Sequence, residues 1–184
     1  MKKHLVEIKA RSTDHAAQRA YLVAHGADFR GTDHQVDHYF NVPDGRLKLR
    51  HGNIEQSLIF YRRDNQAGPK DSHVNLTVLD DEDRAQQLAA TLDAALGTWV
   101  KVDKHREIYF IGNVKFHLDT VVGLGTFVEI EAIGDSPAEH DALLAQCAHY
   151  QGELGVREGD LVRVSYSDLL GFRRLTETNG DEQK

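Results

Sequence analysis

Charged residues alternate with apolar ones along several short segments of this 184-residue chain. Successive side chains of a β-strand point to opposite faces, so Glu7 and Lys9 share one face of a predicted strand whose other face is apolar. The same spacing recurs at Lys48 and Arg50, Tyr61 and Arg63, Lys104 and Arg106, Lys115 with His117 and Asp119, and Glu129 with Glu131. Each segment is therefore predicted to carry one charged face and one apolar face.

Lysines and arginines beside carboxylates suit the chemistry of phosphate chains. Cations neutralise the phosphates, and carboxylates hold a Mg²⁺ or Mn²⁺ that bridges the same phosphate oxygens. A zinc site is not expected, because the 11 histidines are scattered and the one cysteine, Cys147, lies in an apolar segment. The oxygen ligands predicted for a hard divalent ion are Glu7, Asp119, Glu129 and Glu131.

A polar sheet face exposed to water is the alternative explanation for any one of these strands, since antiparallel sheets commonly have one solvated face. Repetition of the pattern over six segments weakens that explanation. The segments separate into cation-only and carboxylate-rich sets, whereas solvent faces normally mix the two signs. We therefore expect the charged faces to converge on an internal anion site.

Composition supports an internal site over a charged surface. The chain has 22 Lys and Arg against 29 Asp and Glu, a net charge of −7, which argues against nucleic acid or an anionic membrane as partner. Apolar runs stay well below the roughly 18 residues that a membrane-spanning helix needs, so a cytoplasmic protein is expected. One domain is predicted over residues 1–172, followed by a polar, disordered tail over residues 173–184.

Turn-forming residues divide the chain into a strand-rich α+β pattern. Predicted helices run from Thr13 to His25, with Ser12 or Thr13 as N-cap, from Asp80 to Leu96, and from Ser136 to about Tyr150. About eight antiparallel strands are too many for a small flat sheet, so a closed eight-stranded barrel with helices packed outside is predicted. The predicted strands are Leu5 to Arg11, Gln35 to Phe40, Arg46 to Arg50, Gln56 to Arg63, His73 to Val78, Trp99 to Arg106, Glu107 to Ile111, Val114 to Val121 and Thr126 to Ala132.

The ordered motifs of the chain resemble those of the CYTH superfamily, the triphosphate tunnel metalloenzymes. Val6-Glu7-Ile8-Lys9-Ala10-Arg11 is similar to the amino-terminal ExExK signature, with Leu5 where its first glutamate would stand. The motifs that follow in the expected order are Gly45 to Arg50, Leu58 to Arg63, Lys115 to Asp119, Gly123 to Gly125, Phe127 to Glu131 and the closing Ser165 to Leu170.

The resemblance implies an eight-stranded tunnel that takes a triphosphate, with a role for each matching residue. It makes Glu7, Asp119, Glu129 and Glu131 the metal ligands, and the absent carboxylate at Leu5 leaves the number of metal ions open. Catalytic roles fall on Lys9, Glu7 and Glu129. The implied phosphate ligands are Lys9, Lys48, Arg50, Arg63, Lys104, Arg106 and Lys115.

Two residues on the charged faces each have two possible interpretations. His117 could orient water or a phosphate, or it could be a structural histidine with satisfied hydrogen bonds. Tyr61 could stack on a base or pack against the tunnel wall.

The resemblance favours an enzyme like the class IV adenylate cyclases, which would convert ATP to cyclic AMP and pyrophosphate. The alternatives are an inorganic tripolyphosphatase or thiamine triphosphatase, and a non-catalytic module that binds polyphosphate or nucleotides. All three bind a triphosphate-bearing small molecule, and a homodimer stays open. Metal-dependent product formation separates the enzymes from the binding module, and the identity of the products separates the enzymes from each other.

Overall fold

The computed structural model describes residues 4–62 and 73–171. Arg63, one of the predicted phosphate ligands, and the predicted tail over residues 173–184 lie outside the described residues. No helix in the described ranges is long and apolar enough to cross a membrane.

Within these ranges, eight antiparallel strands form one sheet in the order β1-β8-β7-β6-β2-β3-β4-β5, and together with the helices they confirm the α+β prediction. Two predicted strands, Trp99 to Arg106 and Glu107 to Ile111, are one continuous strand, and β2 begins earlier than predicted, at Asp28. The strands are β1 His4–Arg11, β2 Asp28–Phe40, β3 Arg46–Gly52, β4 Ser57–Arg62, β5 His73–Val78, β6 Thr98–Ile111, β7 Val114–Val121 and β8 Gly125–Gly134.

The sheet is curled into a half-barrel and is not the closed barrel that the sequence predicted. Among the described residues, β1 pairs with β8 and β5 pairs with β4, and no ladder joins β1 to β5. The free edge of β1 bonds instead to residues 161–162, near the end of the described chain. The Val162 amide donates to the Lys9 carbonyl at 2.8 Å, and Ala10 forms a bridge with Leu161. This segment, residues 161–171, is called the closing segment below.

Four α-helical segments accompany the sheet in the described ranges: α1 His15–Ala24, α2 Glu82–Leu96, α3 His140–Glu153, which follows a single 3₁₀ turn, and a last stretch over residues 166–171. The N-cap of α1 is Asp14, whose carboxylate accepts from the Ala17 amide at 2.8 Å. The predicted caps Ser12 and Thr13 were wrong, because the Ser12 hydroxyl donates to Gln18 instead. Asp81 caps α2, as expected.

The two faces of the sheet have opposite character, as strand periodicity requires. On the apolar face, alternate residues of β1, β7 and β8 pack against α1 and α3, and Cys147 is buried there. Since these residues alternate with the charged ones, the core fixes the direction in which the charged side chains point. The central apolar residues of the three strands are Val6, Ile8, Phe116, Leu118, Val128 and Ile130.

The closing segment is tied to the sheet by its polar residues. Ser165 and Asp168 cap each other: the Ser165 amide donates to the Asp168 carboxylate at 3.0 Å, and the Asp168 amide donates to the Ser165 hydroxyl at 3.1 Å. Arg46 of β3 donates to the same carboxylate at 2.7 Å. The segment therefore spans from the edge of β1 to β3 and carries Tyr166 with it.

Replacing Asp168 by alanine is expected to lower the free energy of unfolding by about 1–3 kcal/mol, because it removes a helix cap and a charged hydrogen bond. Urea unfolding would measure the loss. Asp28→Ala is the matched control, since its ion pair with Arg30 is exposed and such pairs contribute about 0–1 kcal/mol. Equal losses in the two variants would contradict the anchoring role of Asp168.

Candidate functional site

A cavity of about 170 Å³ lies on the charged face of the sheet. Most of the predicted site residues converge here, and Ser165 and Tyr166 of the closing segment cover one side. This cavity is called the phosphate cavity below, after the ligand that the sequence predicts for it. The predicted residues that line it are Glu7, Lys9, Lys48, Arg50, Lys104, Arg106, Glu129 and Glu131. Six different strands contribute to the lining, so the site depends on the curl of the whole sheet.

Asp37, on β2, is the anion at the centre of three of these cations. Its carboxylate accepts from Lys48 Nζ at 2.7 Å, from Arg50 Nε at 2.7 Å and from Lys104 Nζ at 3.2 Å. Asp37 is 1% exposed, and its neighbours on β3 and β6 bring the cations to it. One carboxylate therefore positions three cationic side chains around the cavity.

A second cluster forms around Arg106, which bridges two carboxylates. Its guanidinium donates to Asp119 Oδ1 at 2.6 Å and to Glu129 Oε2 at 2.6 Å. Tyr166 donates to the other Asp119 oxygen at 2.8 Å, and Lys9 lies 3.0 Å from Glu129. Asp119, predicted as a metal ligand, is fully buried, and both of its carboxylate oxygens accept hydrogen bonds. This arrangement orients Arg106.

His117, Glu129 and Glu131 form a donor set that could hold a divalent ion. One ligand atom from each lies within 4.8 Å of the others, and His117 Nδ1 is 3.2 Å from Glu129 and 3.5 Å from Glu131. The buried Nε2 of His117 has no hydrogen-bond partner in the described ranges. Two carboxylates and an imidazole suit a divalent ion, and the nitrogen donor suits Mn²⁺ better than Mg²⁺, which prefers oxygen.

Lys115, predicted as a phosphate ligand, lies outside the phosphate cavity. Its amine donates to Glu55 at 3.0 Å, and Glu55 also accepts from Arg50 at 2.9 Å. Lys115 lines a neighbouring pocket of about 380 Å³, which shares Arg50 and Arg106 with the cavity. The Lys115 amine therefore lies beside the end of the phosphate cavity that adjoins this pocket.

Burial and charge act in opposite directions on the groups of the cavity. Burial alone would raise the pKa of Asp37, but Arg50, Lys104 and Lys48 outweigh it and hold the pKa well below the usual range. Burial lowers the pKa of Lys104 to about 7 despite the attraction of Asp37. Burial and the charge of Arg50 lower the pKa of Lys48 to about 8. The two lysines are thus poised to gain or lose a proton near neutral pH.

The carboxylate Glu129 stays ionised. Burial alone would raise its pKa, but Lys9 and Arg106 hold it well below the usual range. Burial, with the nearby charges of Asp119 and Glu129, raises the pKa of Tyr166 well above its usual value. Tyr166 therefore remains a hydrogen-bond donor.

Sequence reasoning missed Asp37, Glu55 and Tyr166. A signal for Asp37 was present, because Asp33, Gln35, Asp37 and Tyr39 occupy alternate positions of β2 and are all buried. A buried polar face on a central strand indicates an internal polar site. Tyr61 lines the cavity wall, where Arg46 lies 5.9 Å from its ring.

The chain was compared with known proteins. The family model described as "CYTH domain" matches residues 3–166. A curated protein of Methanocaldococcus jannaschii, "Putative adenylate cyclase MJ0240", is 26% identical over 182 residues, covering 91% of this chain and 98% of its own.

Solved structures show the same fold. The X-ray structure of a "putative adenylate cyclase" from Vibrio parahaemolyticus superposes with a TM-score of 0.75 at 19% identity, covering 92% of this chain and 99% of its own. A "conserved hypothetical protein" from Pyrococcus furiosus gives 0.72 at 24% identity, with 90% and 99% covered.

Asp37→Asn is expected to destabilise the protein by about 3–5 kcal/mol, because it leaves three buried cations without their shared carboxylate. Urea unfolding measures the loss. The control is Asp103→Asn, whose pair with His34 is exposed and should contribute about 0–1 kcal/mol. If Asp37→Asn loses no more free energy of unfolding than the control, Asp37 does not stabilise the three cations as proposed.

Binding of tripolyphosphate at pH 9 should take up protons, because an anion beside Lys48 and Lys104 raises both lowered pKa values and recharges the amines. Calorimetry in buffers of different ionisation enthalpy counts the protons. Uptake should be largest above the unbound pKa values of about 7 and 8 and should vanish below them. Lys104→Met should take up about one proton fewer at pH 9. Identical uptake in both proteins would exclude Lys104 as the source.

Proposed function

Because the chain belongs to the CYTH domain family, we propose that it is a metal-dependent enzyme that converts ATP to cyclic AMP and pyrophosphate. Membership of the family confirms the resemblance drawn from the sequence motifs. The observation that carries the proposal is the convergence of Lys9, Lys48, Arg50, Lys104 and Arg106 with carboxylates in one cavity. A cavity of this kind suits a short polyanion with a bound divalent ion.

The five cations would bind the phosphate chain. Arg50 and Arg106 are each held by two carboxylates, so their orientation is set before the ligand arrives. Preorganised donors stabilise developing charge without reorganisation during the reaction. They would therefore favour the departure of pyrophosphate.

The divalent ion would be held by His117, Glu129 and Glu131, with Glu7 at the edge of the same cavity. When bound, such an ion polarises phosphoryl oxygens and offsets the charge that develops during transfer. His117 would supply a third donor in a chain that has Leu5 where the family signature has a glutamate. This nitrogen ligand is the reason to expect a preference for Mn²⁺.

In the proposed reaction the ribose 3′-oxygen attacks the α-phosphorus and the bond to pyrophosphate breaks. The hydroxyl proton needs an acceptor. Glu129 is a poor one, because its low pKa makes it a weak base. Glu7 also lines the cavity, and we propose that its carboxylate accepts this proton. Lys9, 3.0 Å from Glu129, would place its positive charge beside the transferring phosphoryl group.

The relative from Methanocaldococcus jannaschii favours a cyclase, since its name is that of an adenylate cyclase and it aligns over 98% of its length. An inorganic tripolyphosphatase or thiamine triphosphatase would use the same cations, with water attacking the terminal phosphorus. Leu5 favours the third candidate, a binding module without turnover, because it removes one carboxylate from the charged face of β1.

Incubation of the protein with ATP, tripolyphosphate and thiamine triphosphate in Mg²⁺ or Mn²⁺, followed by phosphorus NMR and chromatography, distinguishes the three. A cyclase yields cyclic AMP and pyrophosphate from ATP alone. Release of inorganic phosphate from tripolyphosphate or thiamine triphosphate would identify a triphosphatase. Tight binding without any product would identify the module.

Glu131→Gln is expected to raise the Mn²⁺ concentration needed for half-maximal turnover at least about tenfold, because it removes a charged ligand. Direct Mn²⁺ titration followed by electron paramagnetic resonance should show the same weakening. Glu107→Gln is the matched control, since that carboxylate binds Arg19 on the other face of the sheet. An unchanged Mn²⁺ requirement in Glu131→Gln would reject this ligand set.

A further inference from the structure

A pocket of about 380 Å³ continues from the phosphate cavity between β4, β5 and the turn after β3. It is called the apolar pocket below. It shares Arg50, Ile59, Arg106 and Glu131 with the cavity, so a ligand can extend from one into the other. His117 also lines it, which places the donor set for the metal at the junction of the two.

One wall of the apolar pocket is made of exposed apolar side chains. Leu76 and Val78 lie on one face of β5 and are 57% and 64% exposed, and Ile54 across from them is 48% exposed. Large apolar side chains grouped beside a charged cavity mark a binding site more often than a bare surface. A planar heterocycle would cover them.

The polar side of the apolar pocket offers an unused acceptor. The side-chain oxygen of Gln56 is buried and has no hydrogen-bond partner within the described residues. Its backbone is fixed, because the Gln56 carbonyl accepts from the Leu79 amide at 3.0 Å. Buried polar atoms are rarely left unpaired, and such an atom in a pocket indicates a missing donor.

The turn that carries this wall is held rigidly. The amides of Ile54 and Glu55 donate to Asp33 at 2.9 and 3.1 Å. A Cβ at Gly52 would lie 2.8 Å from the same carboxylate, which leaves no room for a side chain there. The pocket is therefore formed before a ligand binds, which limits the entropy lost on binding.

A second candidate pocket, beside Trp99, fits less well. It has a volume of about 440 Å³ and, within the described ranges, shares Tyr39 alone with the phosphate cavity. The Arg46–Asp168 ion pair forms part of its wall. The donor set for the metal lies at the other end, beside the apolar pocket.

We propose that the apolar pocket binds the heterocyclic base of the substrate, with Gln56 accepting a hydrogen bond from an amino group on the ring. This inference rests on the proposed function, because the phosphate chain must occupy the adjoining cavity. The preferred substrate is then an amino-bearing nucleoside triphosphate such as ATP, and inorganic tripolyphosphate leaves the pocket empty.

Calorimetric titrations in metal-free buffer, where turnover is prevented, test the assignment. The ligands are ATP, tripolyphosphate, and purine riboside triphosphate, which lacks the 6-amino group. The unmodified protein should bind ATP about 3- to 10-fold more tightly than purine riboside triphosphate, the range expected for one hydrogen bond. Gln56→Leu should abolish this preference and leave the affinity for tripolyphosphate unchanged.

The apolar wall has its own variant and control. The double variant Leu76→Ser, Val78→Ser should weaken ATP at least about tenfold, from the lost apolar contact, while tripolyphosphate binds as before. Val74→Ser is the matched control, because Val74 is 50% exposed on the same face of β5 but does not line the pocket. Thermal melting confirms that each variant is folded.

The outcomes separate this inference from the proposed function. The unmodified protein binds both tripolyphosphate and ATP if the phosphate site is correct. If the variants then lose affinity equally for both ligands, or lose none, the base pocket is overturned and the phosphate site is unaffected. Failure of the unmodified protein to bind either ligand without metal, and to bind tripolyphosphate after Mn²⁺ is added, would overturn the proposed function itself. A change in sedimentation without a change in ATP affinity would assign the β5 face to self-association and overturn the base pocket.

Discussion

The ion pairing of Asp37 with three cations is the interaction on which the site depends. Lys48, Arg50 and Lys104 carry like charges within one small cavity, and their mutual repulsion and loss of hydration both oppose folding. A buried carboxylate at their centre offsets part of that cost. Without it, three buried cations would be left unpaired within one cavity, and the cost of bringing them together would not be offset.

The same arrangement is repeated around Arg106, and the repetition explains how an acidic protein builds an anion site. Asp119 and Glu129 each hold one side of the guanidinium, and Tyr166 of the closing segment fixes Asp119 from behind. The carboxylates that orient Arg106 thus come from β7 and β8, and the closing segment supplies the tyrosine that holds one of them. The contacts between residues 161–171 and the sheet are therefore part of the site itself.

Strand periodicity allowed the cavity to be predicted, because side chains two apart must share a face and the apolar residues between them fix which face is inside. Lys9, Arg50 and Glu129 were found for that reason. Asp37 was not, because its neighbours two residues away on the same face, Gln35 and Tyr39, are uncharged, so the repeated charge that marked the other strands is interrupted there. The open edge between β1 and β5 could not be foreseen either, because closure depends on how far the sheet curls and on the competing bond from Val162 to β1.

The mixture of arginines and lysines bears on which anions the cavity can hold. Arginine stays charged wherever it is buried, so Arg50 and Arg106 offer a fixed positive field. Lys48 and Lys104 have lowered pKa values because burial penalises their charge, and a ligand must recharge them to gain their full attraction. A phosphate chain with several charges would contact both amines and offset the cost of charging them, whereas a monophosphate would contact fewer of the cations. Under the proposed function, the depth at which the lysines are buried would therefore favour polyphosphates over monophosphates.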